Sequence, residues 1–193
     1  MQTVFAASAQ TNFTQIRIGK AAVAIRRATL TDADKIADMG IRLLPAAHVG
    51  ALPATDMNRY VTHSFKAETL LTDLSAPSTH FWLAESGQTI SGMLKVNPAP
   101  LPIAGWGKRP LELSRLYVEF DWIGKGIGAA LMRHTLEWAA RARYDVCWLM
   151  VWTGNRKALA FYRRWGFNVA GSVNYLVGQS QLPAHIMTYQ SGM

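Results

Sequence analysis

Three glycines at alternate positions, Gly124, Gly126 and Gly128, set the strongest constraint on how this chain folds. They follow an apolar segment of strand length, residues 111–118, and they precede a helical pattern of apolar residues at Ala129, Met132, Leu136 and Ala139. A strand, a glycine turn and a helix in direct succession predict an α/β arrangement. The first N–H groups of such a helix lack partners within it and lie at the positive end of its dipole, so the turn suits a bound phosphate.

The spacing of these glycines distinguishes the loop from two common nucleotide-binding motifs. A Walker loop requires Gly-Lys-Ser/Thr, whereas Gly126 follows Lys125 here. A dinucleotide fingerprint requires G-x-G-x-x-G, whereas Ala129, Ala130 and Leu131 follow Gly128. Taken alone, the three glycines are equally typical of an ordinary surface turn.

The remaining pattern predicts one domain of the α/β class, with a central mixed sheet flanked by helices. Strands are predicted at residues 23–27, 80–85, 89–96, 111–118, 146–152, 168–177 and 184–189. The run at residues 146–152 is continuously apolar, which predicts a strand buried on both faces with Cys147 in the core. Helices are predicted from a cap at Thr31 or Asp32 to Pro45, within residues 56–65 and 67–74, after the glycine turn, and at residues 156–165. We expect residues 1–21 to form a tail or an extra edge segment, and residues 22–190 to form the domain.

Composition narrows the class of protein. The chain has 193 residues, half of them apolar, which is enough for one hydrophobic core. No apolar run reaches membrane-spanning length and no secretory signal is evident, so we expect no membrane association and a cytoplasmic location. Cys147 is the only cysteine and the histidines show no metal spacing, so we expect no metal. The formal charge of +8 favours an anionic partner, either nucleic acid or a cofactor with several phosphates.

A second motif lies on the predicted helix at residues 156–165 and just beyond it. It has the pattern N-x-x-A-x-x-F-Y-x-x-x-G-F, formed by Asn155, Ala158, Phe161, Tyr162, Gly166 and Phe167. An ordinary core stripe would also place aromatic residues at this helical spacing. Asn155 is a suitable N-cap and Gly166 a suitable C-cap, so the motif alone does not establish a function.

Together, the glycine loop and the second motif resemble the GCN5-related N-acetyltransferase (GNAT) superfamily, and within it the bacterial members that act on small molecules. The resemblance extends over roughly residues 23–189, and includes the segments 27–36 and 80–85. In the family the loop reads Q/R-x-x-G-x-G/A, whereas Ile123 stands at the first position here. This difference removes a polar side chain but keeps the backbone donors.

The resemblance implies acetyl-CoA as co-substrate. Loop amides bind the CoA pyrophosphate in the family, which assigns to cofactor binding Gly124, Lys125, Gly126, Ile127, Gly128 and Ala129. It also implies cofactor contacts from Asn155 and from the strand residues Leu116, Tyr117 and Val118. The backbone N–H of Val118 is then expected to face the thioester carbonyl oxygen and to stabilise the negative charge that develops there.

Acetyl transfer to an amine also requires a base and an acid. The resemblance places Glu112 at the position of a base glutamate, and strand alternation puts Glu112 and Ser114 on one side unless a bulge intervenes. An ordinary glutamate at a strand edge is the alternative. Tyr162 fits the acid, because a phenol of pKa about 10 stays protonated at neutral pH and can meet a departing thiolate of pKa about 8.5.

We therefore predict an acetyl-CoA-dependent N-acetyltransferase that acts on a primary amine of a small molecule or a peptide. A non-catalytic acyl-CoA-binding sensor is one alternative, against which the presence of both Glu112 and Tyr162 argues. A basic nucleic-acid-binding protein is another, but no helix-turn-helix, finger or RNA-binding motif supports it. A polyamine acceptor is disfavoured by the small number of carboxylates, and a homodimer stays open.

Overall fold

The computed structural model of the chain describes residues 14–19, 21–105 and 107–190. Five α-helices lie in these ranges, α1 (Ala33–Ala47), α2 (Ala54–Ser64), α3 (Ala67–Ser75), α4 (Ile127–Arg141) and α5 (Arg156–Arg164). The strands are β1 (Thr14–Ile18), β2 (Ala21–Arg27), β3 (His80–Ser86), β4 (Thr89–Pro98), β5 (Pro110–Val118), β6 (Val146–Trp152), β7 (Asn168–Val177) and β8 (Ser180–Gln190). The predicted mixed α/β class is confirmed.

All of these strands form one sheet in the order β1-β2-β3-β4-β5-β6-β8-β7. Neighbouring strands are antiparallel except for β5 and β6, which are parallel. Helix α4 connects this parallel pair and packs on the sheet against β3, β4 and β5. β1 pairs with β2 at one edge of the sheet. Residues 1–13, which belong to the predicted N-terminal tail or edge segment, lie outside the described ranges.

The sheet carries an apolar cluster on each face. One cluster includes Leu111 and Leu113 of β5 and packs against α4 and α5. The other includes Phe81 and Met93 and packs against α1, α2 and α3. Among the described residues no helix is both long enough and apolar enough to cross a membrane.

A β-bulge at Ser114 changes which face each residue of β5 presents. Lys95 pairs with Arg115 and Val96 pairs with Leu113, so Ser114 is an extra residue in β5. Beyond the bulge, Tyr117 packs with the α1–α3 cluster although it stands an even number of residues from Leu113. Glu112, Arg115 and Tyr117 therefore share the face that α1, α2 and α3 cover.

The start and the end of α1 both differ from the sequence prediction. Asp32 does not cap α1 through its side chain. Its carboxylate instead accepts two hydrogen bonds of 2.8 Å from Arg26 and one from the Thr29 backbone N–H, and the Arg26 interaction lowers its pKa to about 2. Pro45 does not end the helix, which continues to Ala47. A proline in the last turn removes only one backbone hydrogen bond, so the helix tolerates it there.

Two predicted features of the C-terminal strands were wrong. β8 begins at Ser180, before Pro183, and not at residue 184 as predicted. The strand tolerates Pro183 because its carbonyl still accepts a hydrogen bond from the Thr153 N–H, while the N–H that proline lacks needs no partner. β6 is not buried on both faces throughout, since Met150 is 41% exposed. Cys147 of β6 is buried as predicted.

Two histidines, His80 and His134, and two tryptophans, Trp82 and Trp138, cluster between β3 and α4. His80 and Trp82 stack with their ring centroids 5.6 Å apart, and His134 meets the Trp82 ring edge to face at 4.5 Å. His80 Nδ1, Trp82 Nε1 and His134 Nε2 are buried without a hydrogen-bond partner in the described part of the chain. Burial, with a smaller effect of Arg27, lowers the pKa of His80 to about 4.

Because its folded pKa is depressed, His80 is expected to make stability depend on pH. The contribution of neutral His80 to the free energy of unfolding is fully present above pH 6.5, the ordinary pKa of histidine. It is lost as the pH falls from 6.5 toward about 4. The unfolding temperature should therefore fall less steeply over this window in His80→Gln than in the parent protein. His63 is exposed, so His63→Gln should keep the parental profile. Equal slopes for all three proteins in thermal melts would contradict this assignment.

Candidate functional site

The gap between β5 and β6 is the feature around which the predicted site residues gather. The two strands pair only at Pro110–Val146, Leu111–Cys147 and Glu112–Trp148. Beyond these positions β6 continues its pairing with β8, whereas β5 runs on to Val118 without a partner on that side. The carboxyl-terminal half of β5 therefore offers unpaired backbone groups along one edge of the gap.

The orientation of these backbone groups follows from the pairing of β5 with β4. The Glu119 N–H donates to the Ser91 carbonyl over 3.0 Å, on the β4 side. Successive N–H groups of a strand point to opposite edges, so the Val118 N–H points into the gap. This is the backbone group that the sequence predicts to face a thioester oxygen.

The glycine loop ends in a set of free backbone donors. Gly126 precedes α4 with a φ of +97°, in the left-handed region that favours glycine. Within the described residues, no backbone acceptor is found for the N–H groups of residues 126–129, and the Ala130 N–H is the first to bond, to the Gly126 carbonyl at 2.9 Å. A Cβ atom at Gly124 or Gly126 would meet nothing within 4 Å, so the space beside the loop is open.

Lys125 differs from its neighbours in this loop. Its N–H donates to the Trp122 carbonyl over 3.2 Å, so this amide is already used within the turn. Binding of a pyrophosphate by the amides of residues 124–129 stays a prediction. The Lys125 ammonium group lies 5.7 Å from the centroid of the Trp122 ring, which places its charge beside the loop.

The glycine loop, the end of β5 and α5 meet at one place. A Cβ atom at Gly128 would lie 3.5 Å from the Val118 side chain and 3.7 Å from the Phe161 ring. The start of α4 thus contacts both the strand that borders the gap and the helix that carries the second motif.

Tyr162 lies on α5, on the side that faces the sheet. It is 9% exposed and packs edge to face on Phe161 and Phe167. Burial raises the pKa of its phenol above the ordinary value, so the hydroxyl is protonated at neutral pH. The hydroxyl has no hydrogen-bond partner among the residues that the structure describes. The Tyr162 ring packs on that of Phe161, which lies beside Gly128 at the start of α4.

Asn155 caps α5 as predicted. Its side-chain oxygen accepts a hydrogen bond of 3.1 Å from the Ala158 N–H. Its amide nitrogen donates to the Ala47 carbonyl at the end of α1 over 3.3 Å. Both polar atoms therefore have partners within the protein, and a contact between Asn155 and cofactor stays a prediction.

Glu112 is partly buried on the opposite face of the sheet from Tyr162's helix. Asn97 of β4 donates to its carboxylate over 3.1 Å and accepts a hydrogen bond of the same length from the Ser114 hydroxyl. Glu112 and Ser114 thus lie on the same side of β5, even though β5 has a bulge at Ser114. The nearby residues Asn97, Tyr60 and Arg115 were not singled out from the sequence.

The end of β5 is tied to α1 by an ion pair. Glu119 has a side chain that is only 19% exposed and pairs with Arg42 at 2.7 Å. No local pattern in the sequence predicts this contact, because the two residues are 77 positions apart. Among the described residues, no group of three or more His, Cys, Asp or Glu side chains is placed to hold a metal ion.

Comparison with known proteins identifies the class to which this fold and this site belong. Residues 49–167 match the model of the acetyltransferase (GNAT) family, and the chain belongs to that family. The solved PaiA N-acetyltransferase of Thermoplasma acidophilum, in complex with coenzyme A, has the same fold, with a TM-score of 0.70 and 20% identity over 87% of this chain and 98% of that one.

Curated sequences give a similar result. Mouse N-acetyltransferase family 8 member 3 is 33% identical over 114 residues, which are 58% of this chain and 49% of the mouse protein. An uncharacterized N-acetyltransferase of Mycobacterium tuberculosis is 28% identical over 158 residues, 82% of this chain and 97% of that protein. The chain thus spans about half the length of the mouse relative.

Proposed function

We propose that this chain transfers an acetyl group from acetyl-CoA to a primary amine of a small molecule or a peptide, by direct attack of the amine on the thioester. The observation that carries this proposal is the meeting of three parts at one place. The free amides at the start of α4 lie beside Val118 on the unpaired edge of β5 and beside Phe161 of α5, on whose ring the protonated phenol of Tyr162 packs.

The residues of the loop fit the charge and shape of CoA. The N–H groups of Gly126, Ile127, Gly128 and Ala129 are free to bind a pyrophosphate, and the open space beside Gly124 lets an anion approach the backbone. Lys125 adds a positive charge there. Along the gap, the backbone of Leu116, Tyr117 and Val118 would hold the arm that carries the thioester, which supplies the activated acyl group when acetyl-CoA is bound.

Glu112 would act on the incoming amine. An alkyl ammonium group of pKa about 10.4 must lose a proton before it can attack, which costs about 4 kcal/mol near pH 7.5. Glu112 lies on the β5 face away from α5, and its carboxylate would accept this proton directly or through a water molecule. The Asn97 hydrogen bond fixes the position of the carboxylate.

Tyr162 would act on the departing sulfur from the other side of the sheet. Its phenol keeps its proton at neutral pH, and it can donate that proton as the thiolate leaves. The Val118 N–H, which points into the gap, would stabilise the developing charge on the carbonyl oxygen.

The most direct test combines binding and turnover. Isothermal titration calorimetry should show acetyl-CoA binding, and a free-thiol release assay should show turnover with some members of a panel of amines, amino acids and peptides. Binding without turnover on any acceptor would favour an acyl-CoA sensor instead. Retention on DNA without acetyl-CoA binding would contradict the proposal.

A charged substitution in the loop is expected to weaken acetyl-CoA binding. Gly128→Asp should raise the dissociation constant roughly 10–100-fold, because a carboxylate beside the free amides repels the pyrophosphate. Gly128→Asn is the matched control, since it has nearly the same shape and the space around this position accepts a Cβ atom at ordinary contact distances. Equal affinities of the two variants in calorimetry would remove the pyrophosphate from this loop.

A further inference from the structure

Arg115 is a cation on the same face of β5 as the proposed base. It follows the bulge at Ser114, and its guanidinium carbon lies 4.5 Å from the centroid of the Phe65 ring. One terminal nitrogen, Nη2, donates to the Ser64 carbonyl over 2.9 Å. The other, Nη1, is buried and has no hydrogen-bond partner among the described residues.

Neither Arg115 nor Glu112 forms an ion pair within the described part of the chain. Both nevertheless lie near the phenol of Tyr60, on α2. Burial raises the pKa of Tyr60, while the charge of Arg115 lowers it and the charge of Glu112 raises it. The charges of an anion and a cation thus both act on one phenol, while the two groups form no ion pair with each other.

An unsatisfied charged donor is costly in a partly buried site, because it has lost water without gaining a partner. A carboxylate is the group that a planar guanidinium binds best, since two parallel N–H donors match its two oxygens. The free Nη1 of Arg115 therefore favours a ligand with a carboxylate.

Glu112 and Arg115 lie three residues apart on the same face of β5, with a bulge between them, so one small ligand can reach both side chains. In an amino acid the amine and the carboxylate share one carbon, so the amine can meet Glu112 while the carboxylate meets Arg115. A free amino acid has this arrangement.

We propose that Arg115 is a specificity-determining residue that binds a carboxylate next to the acceptor amine, so that the acceptor is a free α-amino acid or a molecule that retains this group. This inference rests on the proposed acetyl transfer and names its acceptor class. Polyamines carry only positive groups and would meet the Arg115 charge. A peptide N-terminus has no carboxylate beside its amine.

The first test uses the parent protein and needs no substitution. Amino acids are compared with their own amides and with the amines left after decarboxylation, for example phenylalanine, phenylalaninamide and phenethylamine, in the thiol release assay. The carboxylate form should have a kcat/KM roughly 10–100 times higher than the other two in the preferred series. Preference for the amides, the simple amines or peptides would overturn the inference while leaving the acetyltransferase proposal in place.

The second test changes Arg115. In Arg115→Gln the ratio of kcat/KM between the amino acid and its decarboxylated amine should fall toward one, chiefly through a higher KM for the amino acid, and Arg115→Lys should restore part of it. A loss of stability lowers both rates together and leaves the ratio unchanged, so the ratio separates recognition from folding. Phe65→Leu is the control, because it removes the ring beneath the guanidinium but keeps the charge.

One result with the variant is decisive against the inference. A parental ratio in a folded Arg115→Gln variant would show that Arg115 only supports the loop after α2. If Arg115→Gln does not fold, the comparison of acceptors on the parent protein decides alone. Failure of the parent protein to bind acetyl-CoA would instead contradict the function on which the inference rests, and calorimetry distinguishes that case.

Discussion

Replacing Tyr162 by phenylalanine is expected to lower the turnover number by roughly 10²–10⁴, the effect of removing a positioned general acid. The phenol would supply the proton that the leaving thiolate takes, and burial keeps that proton in place at neutral pH. The ring should still pack against Phe161 and Phe167, because only an oxygen is lost. Steady-state and single-turnover thiol release, with melting curves, measure the two effects separately.

The stability of Tyr162→Phe should change by about 1 kcal/mol or less, since the hydroxyl has no hydrogen bond to lose among the described residues. Tyr189→Phe is a matched control, because the Tyr189 ring also packs against Phe167, with ring centroids 5.5 Å apart. It should keep parental turnover. Parental turnover in Tyr162→Phe, at saturating substrate and with chemistry limiting the rate, would leave Tyr162 with a packing role alone.

The second large effect is expected from Glu112→Gln, which should slow turnover by roughly 10²–10³ near neutral pH with little change in acetyl-CoA affinity. The defect should be greatest at low pH, where almost all of the amine carries a proton that must be removed. As the pH rises, free amine accumulates without the help of a base, and the gap to the parent protein should narrow. Glutamine preserves the hydrogen bond with Asn97, because its amide oxygen can still accept from it.

A pH–rate profile of kcat/KM checks this prediction. Glu119→Gln provides the control, since Glu119 is another carboxylate at the end of the same strand but is paired with Arg42. Glu119→Gln should change kcat/KM by the same factor at every pH and leave the shape of the pH–rate profile unchanged. If the pH–rate profile of Glu112→Gln matches that of the parent protein, the Glu112 carboxylate takes no part in proton transfer.

Local features of this site could be predicted from the sequence because they depend on neighbouring residues. The glycine loop, the Asn155 cap and the burial of Cys147 each follow from the chemistry of one short segment. The mixed sheet follows from the order of the elements. These predictions required no knowledge of which strands become neighbours.

The remaining features depend on contacts between distant segments. The pairing of Asp32 with Arg26 replaces its capping role, and the pairing of Glu119 with Arg42 removes its exposure to water. Asn97 becomes relevant only through its register with Glu112. Arg115 shares the face of Glu112 because an extra residue precedes it, and no local pattern in β5 marks that residue.

The bulge at Ser114 makes the pairing register of β5 matter as much as its composition. A substitution in this strand alters one side chain, whereas pairing Ser114 with β4 as a regular strand residue would shift every position beyond it by one. Arg115 and Tyr117 would then exchange faces with Leu116 and Val118, placing a cation against the apolar cluster under α4. A change that straightens the bulge would therefore displace the proposed acceptor contacts and the proposed cofactor contacts together, even though no residue is lost from the chain.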